Sequence, residues 1–128
     1  DHIVDAINRI RGPFNVNLPA QMAGAAATRD TEFNARLKAH NAQWRDWLSA
    51  ELAGNRMRVV PSQANFVMVL FDTSETASAA FAALAAAGYI VREIGASYGI
   101  DNGLRISIGS EDAMRGVAKV LKSMDQTQ

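Results

Sequence analysis

The 128-residue chain balances thirteen Lys and Arg against thirteen Asp and Glu, which excludes the basic footprint of a nucleic-acid binder or a membrane-surface protein. With no cysteine there is neither a disulfide framework nor a thiolate metal site, and the two histidines, His2 and His40, are too far apart in sequence to suggest a ligand pair. The apolar runs are too short for a membrane span, the Ala-rich stretch 77–87 included, and none reads as a signal peptide; a single cytoplasmic domain with small-molecule or protein partners is expected.

In chain order, Asp1 to Arg11 reads as a helix already in progress, with Ile3, Val4, Ile7 and Ile10 at helical spacing. No initiator methionine precedes it, as expected of a piece of a longer polypeptide. Gly12 and Pro13 end this helix, and Phe14 to Asn17 is an extended connector. Asn17 caps a second helix that tolerates Pro19 in its first turn and runs through the small residues Ala20 to Ala27. Its narrow side suits close packing, as in a helix leading out of a neighbouring domain.

Asp30 is expected to cap the longest helix, with Phe33, Leu37, Trp44, Trp47, Leu48 and Leu52 along one side. Gly54-Asn55 would close it with a left-handed turn. His40 and the two tryptophans fall at core spacing, so packing is favoured over a ligand site. Met57 to Val60 is a short strand, Pro61 to Ala64 a turn, and Asn65 to Phe71 a strand whose continuous apolar run predicts burial on both faces. Ser74 is expected to cap the next helix, whose face is Ala77, Ala80, Phe81, Leu84 and Ala85, and Gly88 to end it. A strand begins at Tyr89 and another follows at Gly103. Ser110 caps the last helix, with Glu111 and Asp112 in its positive first turn and Val117, Val120, Leu121 and Met124 as its stripe. The tail Asp125 to Gln128 should fray.

The sum is an α+β fold: two or three helices, then ββαββα, with a small, mainly antiparallel sheet carrying helices on one face. The internal boundary falls near Thr28 to Asp30, separating connecting helices 1–29 from a domain at 30–128.

Arg92 and Arg105 stand inside strand runs otherwise made of Ile, Val and Leu. In the simplest antiparallel register, about a loop centred on Tyr98 and Gly99, they face each other with Cβ atoms about 4.5 to 5.5 Å apart, unfavourable for like charges. Two readings are open. Each arginine is an edge charge that reaches water or pairs with Glu93, Asp101 or Glu111. Alternatively, a carboxylate or phosphate bound between the two guanidinium groups turns repulsion into charge-assisted hydrogen bonds. No nucleophile and base are recognisable, and Gly95-Ala-Ser-Tyr-Gly99 has neither P-loop spacing nor a following lysine. The residues describe a binding half without a catalytic half.

Ile10-Arg-Gly-Pro-Phe-Asn-Val-Asn17, Val60-Pro-Ser-Gln-Ala-Asn-Phe-Val67, the Val91-Arg92 strand and Leu104-Arg-Ile-Ser-Ile-Gly109 together resemble the C-terminal part of the histidinol-phosphate aminotransferases. These are pyridoxal-phosphate enzymes of the aspartate-aminotransferase-like fold, and the resemblance covers essentially the whole chain. It implies that Arg105 grips the substrate's anionic end, the α-carboxylate of glutamate or the phosphate of histidinol phosphate, with Arg92 as a second arginine there. Asn65 matches the Asn-Phe strand start, as a structural or supporting residue, and Phe14 and Asn15 match a connector near the active-site mouth. The family's cofactor-binding lysine lies in a Ser-Lys loop with no counterpart here. Lys38, Lys119 and Lys122 are solvated helix positions, so no catalytic residue is expected in this chain and no cofactor bound to it alone. The implied whole is a homodimer in which a large domain of the same polypeptide holds pyridoxal phosphate. The rival readings are another aminotransferase or a phosphate-substrate decarboxylase of this fold, and a non-catalytic amino-acid-sensing α+β module.

Overall fold

The computed structural model describes residues 1–12, 14–53, 56–95 and 98–125. Gly54 and Asn55, expected to close the long helix, lie outside the described residues, as do positions 126–128 of the expected frayed tail. The chain forms two compact units, Asp1–Arg36 and Leu37–Gln128.

The first unit is helical. Helix α1 (His2–Ile10) starts where the Asp1 carboxylate accepts from the Ile3 N–H at 3.1 Å. Helix α2 (Leu18–Arg29) is capped by Asn17, whose side-chain oxygen accepts from Ala20 N–H, with Pro19 in its first turn. It extends beyond the alanines at both ends. Neither helix buries a residue, and Ile3, Val4, Ile7 and Ile10 are all exposed. Asp30 then accepts from Phe33 N–H at 2.9 Å at the start of helix α3 (Thr31–Leu52), which crosses from the first unit into the second.

In the second unit, strands β1 (Met57–Val60), β2 (Phe66–Phe71), β3 (Arg92–Glu93) and β4 (Gly103–Ser107) form one sheet in the order β1-β2-β4-β3. Every ladder is antiparallel. Between and after them run α4 (Ser74–Ala86) and α5 (Glu111–Asp125). Val67, Val69, Phe71, Leu104 and Ile106 point from the sheet into a core shared with Leu48 and Leu52 of α3, Ala80 and Leu84 of α4, and Val117 and Leu121 of α5. The fold is α+β, with α3, α4 and α5 packed on one face of the sheet.

Four expectations change. First, β2 is not buried on both faces: Val67, Val69 and Phe71 are buried while Phe66, Met68 and Leu70 are half-buried. The helices cover only one side, so strand alternation decides burial despite the apolar run. Second, the pairing that begins at Tyr89 in sequence is confined to Arg92 and Glu93. Tyr89 instead joins the helix turn before it, its N–H donating to Leu84 O at 2.8 Å while Gly88 N–H donates to Ala85 O at 3.0 Å. These two bonds close α4 with Gly88 at φ +86°, where a Cβ would be strained. Third, the α4 cap is Thr73, whose hydroxyl accepts from Thr76 N–H; Ser74 is already the first helical residue. Fourth, the apolar side of α3 is buried only at Trp44, Leu48 and Leu52, while Phe33 and Leu37 are exposed. In α4, likewise, Ala77, Ala80 and Leu84 are buried and Ala85 is exposed.

His40 packs. Its Nε2 donates to Gly109 O at 2.8 Å, tying α3 to the segment after β4. Trp44 and Trp47 meet edge-on with centroids 5.1 Å apart, and the Arg115 guanidinium lies over both rings while bonding Glu111 at 2.8 Å.

Candidate functional site

Because β2 alternates, its other side is an open sheet face. In register, Met68 pairs with Arg105 and Arg105 with Arg92, so the two arginines are direct cross-strand neighbours on that open face. Glu93 alternates to the helix side, where Ser78 Oγ lies 3.4 Å from its carboxylate. Glu111 is engaged by Arg115. Among the described residues no ion pair involves Arg92 or Arg105, so neither is paired with Glu93, Asp101 or Glu111, while Arg92 is exposed to water.

Both arginines line one open depression of about 270 Å³, with Phe66, Met68, Ile94, Tyr98 and Ile100 as the rest of its wall. The β3–β4 loop carries Tyr98 to its rim, 70% exposed, and turns at Gly99 with φ +67°. At the floor, the Arg105 Nε is buried and has no hydrogen-bond partner among the described residues. Its Cζ sits 5.3 Å from the centroid of the Phe66 ring. An apolar cup holding two uncompensated guanidinium groups suits an oxyanion carried on an apolar body.

Asn65 is exposed and does not line the depression; its backbone carbonyl accepts from Ile108 N–H at 2.8 Å, extending the β2–β4 ladder by one bond. Phe14 and Asn15 belong to the first unit, Phe14 being 90% exposed. Sequence reasoning passed over the wall residues Phe66, Met68, Ile94 and Ile100. Alternation along β2 was the available signal for the first two; the loop positions carried none.

A family model described as aminotransferase class I and II matches residues 1–121. The chain belongs to the class I and II aminotransferases. Within that family it is 46% identical over 123 residues to the histidinol-phosphate aminotransferase of Nitrobacter hamburgensis, and 45% identical over 123 residues to histidinol-phosphate aminotransferase 1 of Caulobacter vibrioides. Each alignment covers 94% of this chain and 33% or 34% of the relative, so the chain spans about one third of the length of these curated relatives. A crystal structure of histidinol-phosphate aminotransferase from Sinorhizobium meliloti in complex with pyridoxal 5′-phosphate shares the fold, with a TM-score of 0.75 at 23% identity over 96% of this chain and 35% of that one.

Lys38, Lys119 and Lys122 lie on α3 and α5, on the helix-bearing side of the sheet, and none lines the depression. Lys122 is held by Glu51 at 2.8 Å. Among the described residues no cluster of three or more His, Cys, Asp or Glu could hold a metal ion, and no helix is long and apolar enough to cross a membrane.

Proposed function

We propose that this chain is the small C-terminal domain of a histidinol-phosphate aminotransferase, and that Arg105 and Arg92 clamp the anionic end of its substrate. The observation that carries the reading is the direct pairing of two arginines, with no carboxylate partner among the described residues, in one apolar cup. The kinship to histidinol-phosphate aminotransferases supports, as the ligand, the phosphate of histidinol phosphate in one half-reaction and the α-carboxylate of glutamate in the other. Pyridoxal phosphate, held by the rest of a full-length cytoplasmic homodimer, supplies the electron sink for amino transfer. The work of this chain is orientation. Charge-assisted bonds from two guanidinium groups fix the anion, and Phe66, Met68 and Ile100 limit where the carbon skeleton lies and keep water from it. Residues 1–29 act as connecting helices from the large domain, and 30–128 as the small domain, inactive on its own because its lysines are elsewhere.

Steady-state assay of the full-length protein against histidinol phosphate, aromatic amino acids and threonine phosphate tests the substrate. Histidinol phosphate is expected to give the highest kcat/KM. Preference for either of the others would assign the domain to another aminotransferase or to a decarboxylase. Titrating the isolated chain with pyridoxal phosphate should give no new absorbance band; a band would place a cofactor-binding lysine here.

A further inference from the structure

We propose that Phe66 is a positioning residue for the anion site, its ring holding the Arg105 guanidinium in a preset pose before any ligand arrives. This rests on the reading of Arg105 as the group that grips the ligand's anionic end. Phe66 pairs with Ser107 and Met68 with Arg105, so Phe66 is the diagonal cross-strand neighbour of the arginine on the same open face. The 5.3 Å from Cζ to ring centroid is within the range of cation–π attraction.

Arg105 otherwise has reason to leave. Arg92 directly opposite repels it, and no carboxylate among the described residues attracts it. Its Nε is shut off from water without a hydrogen bond in return, which costs free energy that a swing of the long side chain into solvent would recover. The Phe66 ring is the contact that opposes this swing. It does so without using a guanidinium N–H as a donor, so the donors stay available to an oxyanion. Phe66 therefore lowers the ordering cost of binding without touching the ligand's charge itself.

The test uses the 128-residue chain. Exchange of the Arg105 Nε-bound proton with water is followed by NMR, and inorganic phosphate is then titrated. Phe66→Leu is expected to speed exchange at least about threefold and to weaken phosphate binding about three- to tenfold, as loss of a cation–π contact implies. Phe66→Trp, which keeps a π face, should stay within about twofold of the parent. In an Arg105→Ala background the Phe66→Leu effect on phosphate should vanish. Phe66→Met, bulky but without a π face, replaces Phe66→Leu if the latter unfolds. Unchanged exchange and unchanged phosphate affinity in Phe66→Leu would overturn the positioning role while leaving the anion site intact. Failure of the parent chain to bind phosphate would overturn the anion reading and the role of Phe66 together.

Discussion

Arg92 and Arg105 were legible in the sequence as charges out of place, and the assumed register proved to be the real one, Arg92 opposite Arg105. What could not be read there was that no carboxylate among the described residues pairs with either, because whether Glu93 reaches an arginine depends on which face of a two-residue strand it occupies. A different residue-scale contact is easier to test. Gly116 lies in the middle of α5, where glycine weakens a helix by about 1 kcal/mol relative to alanine. A Cβ there would overlap the Tyr89 hydroxyl. Gly116→Ala should therefore lose stability on balance, by about 1 kcal/mol, since overpacking costs roughly 1 to 3 kcal/mol. Thermal unfolding of the double variant decides the cause: in a Tyr89→Ala background the same substitution should turn stabilising, and a loss of equal size in both backgrounds would exclude Tyr89 as the obstacle. Glu75 provides a pH effect. Hydrogen bonds from its own backbone N–H, then from the Thr73 and Ser74 hydroxyls, hold its carboxyl below the ordinary value of 4.5. Its contribution is fully present above that value and disappears as pH falls through the lowered one. Unfolding curves of Glu75→Gln and the parent should therefore differ at neutral pH and converge in acid; a constant difference would remove Glu75 as the cause.

At the scale of elements, the signals for helices were strong because they are local. Asn17 and Asp30 cap the helices they precede, and Gly88 ends α4 by a left-handed turn. The cap of α4 was misplaced by one residue because Thr73 and Ser74 are adjacent hydroxyls of similar capping strength, and only the extended backbone of Thr73 distinguishes them. Strands were less legible, since pairing and covering are decided by distant residues. Six apolar residues in a row could not show that helices would cover only one side of β2, and it is the uncovered side that makes the cup. For α4, Thr73→Ala should cost about 1 kcal/mol through the lost cap, and Gly88→Ala about 1 to 2 kcal/mol through the positive φ. Chemical denaturation measures both, and a Gly88→Ala variant as stable as the parent would mean that this turn is not held in the left-handed region.

For the molecule as a whole, a single division of labour explains where the charges stand. One face of the sheet is sealed by α3, α4 and α5 around Leu48, Val69, Leu84 and Leu121, while the other keeps apolar residues half-exposed around two arginines. A stability-driven design would not pair like charges there, so the open face is read as prepared for an anion. The most direct measurement is the steady-state kinetics of Arg105→Ala in the full-length enzyme with histidinol phosphate. A charge-assisted contact and the orientation that depends on it predict a fall in kcat/KM of about 10² or more. Kinetics within about twofold of the parent, a difference of roughly 0.4 kcal/mol, would contradict the arginine clamp.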